Sequence, residues 1–148
     1  MPKPVVITLT VQAETLYNKV NPTQAEIDAC CSLSDNNGGT GSPIEEFTSP
    51  VFINNNVRWV GATSDQGWTI AIDSIVYEPD TTDVDFFDST TISGSGGRSG
   101  NVNANVKNDP ALIGNHDQYK INFSVYKSPN EHKPFPIDPK LRVNPIAF

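Results

Sequence analysis

The sequence predicts an all-β protein: an antiparallel β-sandwich of about seven to eight strands with one short helix near the N-terminus. Three observations carry this reading. Trp68–Tyr77, WTIAIDSIVY, alternates at period two. Trp68, Ile70, Ile72, Ser74 and Val76 share one face, and Thr69, Ala71, Asp73, Ile75 and Tyr77 share the other. Tyr119–Tyr126, YKINFSVY, alternates in the same way, with Tyr119, Ile121, Phe123 and Val125 as the apolar row and Lys120, Asn122 and Ser124 as the wet row. Composition adds the third: 12 Pro, 10 Gly and 15 Asn in 148 residues, with 36% hydrophobic content, mean many turns and few helices.

The remaining elements follow in chain order. Val5–Val11 alternates Val5, Ile7 and Leu9 against Val6, Thr8 and Thr10, which makes a first strand. Thr23 followed by Glu26 forms a capping box behind Pro22, and Ala25 to Leu33 reads as the helix it starts. Asn36-Asn37-Gly38-Gly39 ends that helix. Val51–Ile53 and Val57–Val60 read as hairpin partners around Asn54-Asn55-Asn56, because Asn tolerates positive φ. Ser64–Gly67 turns the chain into the Trp68 strand, Glu78–Asp85 is an acidic loop, and Phe86–Ile92 is a strand. Ser93–Gly100, SGSGGRSG, is a loop, and Asn101–Lys107 alternates as a strand. Prolines 129, 134, 136, 139 and 145 then define an edge or extended wrap over 129–148 with one short strand, Lys140–Val143. The whole, residues 1–148, fits one domain long enough to bury a core without staples.

Charge and cysteine usage narrow the partners. The net charge is −7, with twelve acids against Arg58 alone from Glu26 to Asp88. An acidic body repels phosphate backbones, so no nucleic-acid partner is expected. No run of eighteen apolar residues predicts a membrane span. MPKPVVITLT has no apolar h-region, so no secretory signal is visible; a cytoplasmic origin is expected, with any release going by another route. Cys30 and Cys31 are adjacent and have no other cysteine to pair with, which suits reduced thiols and a cytoplasmic setting.

No catalytic signature is present: GxSxG, HExxH, a phosphate loop and a dinucleotide fingerprint are all missing. His116 and His132 lie beside Asp117 and Glu131 but have no evident nucleophile, so the chain is not expected to be an enzyme. Two constellations suggest binding. Asp80, Asp83, Asp85 and Asp88, with Glu78, crowd one loop, and such carboxylates can supply the hard oxygens that calcium prefers. The competing reading is a solvated acidic loop. Trp59 and Trp68 bracket a turn carrying Asp65 and Gln66, an arrangement that could stack a sugar ring and hydrogen-bond its hydroxyls. The competing reading there places both Trp in the core.

Several segments together resemble a known group. VFINNNVRWVGA (51–62), WTIAIDSIVY (68–77), FFDS (86–89), DQYKINFSV (117–125) and IDPKLRVNP (137–145) appear in an order that resembles the AidA/PixA inclusion-body protein family of bacteria. VVITLT near the N-terminus is compatible, and the single methionine, Met1, suits proteins of this methionine-poor kind. The resemblance implies a small β-sandwich, abundant in some members as cytoplasmic crystalline inclusions, with sugar binding suspected in some relatives. It carries over no functional residue. The expectation from the residues is a calcium-assisted, lectin-like glycan-binding protein. The alternative is a self-assembling structural or storage protein whose partner is a further copy of itself.

Overall fold

The computed structural model describes residues 5–36, 47–77, 87, 91–94, 100–114, 116–128 and 130–143. Among them ten strands form two sheets, with two short helices. The strands are β1 (Val5–Val11), β2 (Cys31–Asp35), β3 (Thr48–Val51), β4 (Asn56–Ala62), β5 (Thr69–Tyr77), β6 (Thr91–Ser93), β7 (Val102–Asn105), β8 (His116–Ser128), β9 (Glu131–Ile137) and β10 (Lys140–Val143); the helices are α1 (Ala13–Tyr17) and α2 (Gln24–Ala29). One sheet runs β2-β1-β4-β7. The other runs β3-β10-β8-β5-β6, with β9 also along β8. The all-β fold class is therefore as the sequence predicts.

The apolar rows of the two sheets meet in one core. Val5, Ile7 and Leu9 of β1 and Val57 and Trp59 of β4 pack with Ile70 and Ile72 of β5 and with Tyr119, Ile121, Phe123 and Val125 of β8. Burying such side chains contributes about 1.5–3 kcal/mol each relative to leaving them in water. Gly61 is where the chain passes close to the other sheet: a Cβ there would collide with the Ile70 carbonyl oxygen. Glycine permits that approach.

Several expected elements are differently built. The predicted helix over 25–33 stops at Ala29, and Cys31–Asp35 becomes β2, antiparallel to β1 with Val11 opposite Cys31. The capping box itself forms: the Glu26 amide donates to Thr23 Oγ1 at 3.2 Å, and the Thr23 amide donates to Glu26 Oε1 at 3.1 Å. Cys, Ser and Asp are indifferent helix formers, so pairing with β1 overrides helix continuation after the second turn. A second helix, α1, buries Ala13 and Leu16, an i, i+3 pair on one face. The Asn54–Asn56 turn does not close a hairpin. Strand β3 pairs parallel to β10 in one sheet, and β4 pairs parallel to β1 in the other. Asn54 does take positive φ, +58°. The turn is held instead by two backbone hydrogen bonds to Val106, Asn54 N–H to its carbonyl and its N–H to the Asn55 carbonyl.

Strand β5 alternates as expected only to Ile72. A register shift against β8 lies between Ile72 and Ser74, so Ile70 and Ile72 point inward and then Ile75 does too, 2% exposed. An extra residue in one strand changes which parity faces the core. Asp73, at the irregularity, accepts a hydrogen bond from Ser124 Oγ at 2.5 Å. Of the predicted strand 86–92, the described residues are Phe87, a buried bend, and Thr91–Ile92 in β6. In the proline-rich tail, β9 is an edge strand along β8. The Pro136 carbonyl accepts from Gln24 Nε2 at 2.8 Å, so that residue's backbone faces α2 rather than β8. Pro134 has the same parity, so neither missing N–H removes a bond to β8.

Candidate functional site

The predicted glycan pocket is not assembled on one surface. Trp59 is 1% exposed, with its indole N–H donated to the Tyr119 hydroxyl at 3.1 Å. Its ring meets Tyr119 and Phe87 edge-on, at 5.7 and 5.8 Å between centroids. It is a core side chain and offers no face to a ligand. Asp65 is half-buried, and its Oδ2 accepts the backbone N–H of Glu14 at 3.0 Å. The residue preceding α1, Gln12, makes no side-chain cap, so Asp65 caps this helix from fifty-one positions along the chain. Gln66 is exposed at the tip of the turn. Trp68 is half-buried and stands edge-on to Tyr17, 5.2 Å between centroids. Lys133 continues this cluster: its Nζ lies 4.5 Å from the Tyr17 ring centroid and donates to the Tyr17 carbonyl at 2.7 Å. Only Trp68 and Gln66 remain available from the predicted set.

The predicted calcium ligands Asp80, Asp83, Asp85 and Asp88 lie outside the described residues. Among the described residues no group of three or more His, Cys, Asp or Glu side chains could hold a metal ion. His132 is exposed and stacks on Tyr126, with centroids 4.6 Å apart and planes at 18°.

A cleft that sequence patterning does not reveal lies beside the same turn. About 340 Å³ in volume, it is walled by Thr10, Gln12, Cys30, Cys31, Ser32 and Ser64. It forms where α2 ends and β2 begins, so the adjacent cysteines mark the spot. Among the described residues the wall holds hydroxyls, an amide and thiols beside the apolar Val11 and Ala29, with no carboxylate or cation, which suits a neutral polar ligand. Burial, then the neighbouring Cys30 and Asp28, push the Cys31 thiol up to about 12. It stays protonated at neutral pH and is a poor nucleophile there. Cys30 and Cys31 are both free thiols.

No protein-family model matches this sequence, and no curated protein does. The fold has a clear likeness. The crystal structure of a PixA inclusion body protein from Burkholderia cenocepacia J2315 superposes with a TM-score of 0.60. The match covers 97% of this chain and 94% of that one at 10% sequence identity. The likeness is one of fold. No helix among the described residues is long and apolar enough to cross a membrane.

Proposed function

We propose that this chain is a non-enzymatic β-sandwich protein that associates with copies of itself, as structural or storage material of the inclusion type. The observation that supports this reading most is the end-to-end fold likeness to an inclusion body protein. The scarcity of charged side chains on the outer face of the β2-β1-β4-β7 sheet is compatible with it. The test is sedimentation of the purified chain from micromolar to millimolar concentration. A rise in weight-average mass with concentration supports self-association, and a strict monomer throughout refutes it.

Glycan binding is the second reading, and the half-buried Trp68 beside Tyr17 and the exposed Gln66 favours it. Calcium would enter through the acidic run between Asp80 and Asp88. A glycan array probed with and without EDTA separates the two. Binding lost in EDTA supports the calcium-assisted form. Binding that survives EDTA and disappears in Trp68→Ala supports the Trp68 surface, and no binding in either condition removes the glycan reading.

A further inference from the structure

The outer face of the β2-β1-β4-β7 sheet has the anatomy of a protein interface. Strand registers place Val6 beside Arg58, Thr8 beside Val60 and Thr10 beside Ala62 on the side away from the core. Val6, Thr8, Val60 and Ala62 are all half-buried, so the two central strands present a small patch of methyl groups. On one flank stand the exposed Ser32 and Ser34 of β2, opposite Thr10 and Thr8. On the other stand the exposed Asn103 and Asn105 of β7, opposite Arg58 and Asn56. An apolar centre inside a polar rim, with charge depleted, is the composition of protein–protein interfaces.

The charge pattern selects the partner. The chain carries 17 Asp and Glu and a net charge of −7. None of those acids falls on the outward positions of these four strands, and Arg58 is the one charged side chain there. Two copies repel over most of their surfaces, but at this face they can meet without opposing carboxylates. Hydroxyls and carboxamides both donate and accept, so such a rim complements itself under a two-fold axis. We infer that this sheet face is the contact between copies of this chain, an inference that rests on the self-association reading and locates it.

The size of the face fixes the strength. Four strands about 4.8 Å apart and about five residues of about 3.3 Å each give roughly 300 Å² per copy. A stable dimer covers about 800 Å² per partner. The contact is therefore weak, and it fills only in concentrated protein.

The experiment is sedimentation over a concentration series of the full chain, with Val60→Glu, Arg58→Glu and Lys127→Ala. Val60→Glu and Lys127→Ala each lower the net charge by one unit, but Lys127 is exposed on β8 of the other sheet. Far-UV circular dichroism confirms that each variant is folded. The expected result is association in the parent and in Lys127→Ala, weakened at least tenfold in Val60→Glu and Arg58→Glu. Association that persists unchanged in both face variants overturns this assignment while leaving self-association standing. A parent that stays monomeric to millimolar concentration overturns both.

Discussion

Replacing Asp65 by Ala separates a structural carboxylate from a ligand-binding one. The side chain satisfies the Glu14 amide in the first turn of α1, a position that Gln12 leaves uncapped. Losing an N-cap acceptor costs about 0.5–2 kcal/mol, typically near 1. The helix is only five residues long, but Ala13 and Leu16 tie it to the core, so the loss is felt by the whole fold. For a chain of this size 1 kcal/mol lowers Tm by about 2–4 °C. Asp65→Asn keeps an oxygen acceptor and gives up only the charge facing the helix N-terminus, a few tenths of a kcal/mol at this partly exposed site. The assay is thermal unfolding by circular dichroism, paired with hydrogen exchange at the Glu14 amide, on ligand-free protein. The expected order of stability is parent, Asp65→Asn, Asp65→Ala, with faster Glu14 exchange in the last. An unchanged Tm and unchanged Glu14 exchange in Asp65→Ala would refute the cap.

Three further outcomes are expected. Gly61→Ala places a methyl group against the Ile70 carbonyl, so it should cost about 1–3 kcal/mol and lower the urea midpoint of unfolding without changing its slope. The Cys31 pKa is raised in the folded protein, so its contribution is intact below the ordinary thiol range and is lost as pH rises toward about 12. Stability should decline above about pH 9, and iodoacetamide at pH 8 should label Cys31 in urea but not in the native protein. Glu26 is held below its ordinary value first by the Thr23 backbone N–H and next by the Thr23 side chain. Its contribution is present above the ordinary glutamate range and lost as pH falls through the lowered value, which the chemical shift of the Thr23 amide should follow.

What the sequence made legible was short-range and periodic. The alternation in Val5–Val11 and Tyr119–Val125 appears in the structure as buried rows, and the Thr23–Glu26 capping box forms as read. What it hid depends on partners distant in the chain. Nothing near Cys31 says that β1 needs an edge neighbour, so local sequence extends the helix to Leu33 where the fold ends it at Ala29. Nothing near Asn54 says that the next strand belongs to the other sheet. The slip at Asp73 leaves the residue types unchanged and alters only their parity, so Ile75 reads as an outward residue until β8 is laid beside it. The site suffered most. Trp59 and Trp68 look equivalent in sequence, yet one is spent on the Tyr119 hydroxyl inside the core and the other stands at the surface beside Tyr17. Asp65 reads as a ligand-binding carboxylate because its partner, the Glu14 amide, belongs to another element.

The placement of β10 between β3 and β8 has a kinetic consequence. Residues 48–51 find their sheet neighbour in 140–143, across most of the chain. During synthesis β3 emerges early and waits, with both edges open, until the last described strand arrives to join it to β8. Pairings this remote are slow to close, and an unpaired strand edge is sticky in the interval. The growing chain is thus exposed to its own neighbours on the polysome until residues 140–143 emerge, and how crowded that interval is decides whether β3 meets its own β10 or another molecule's.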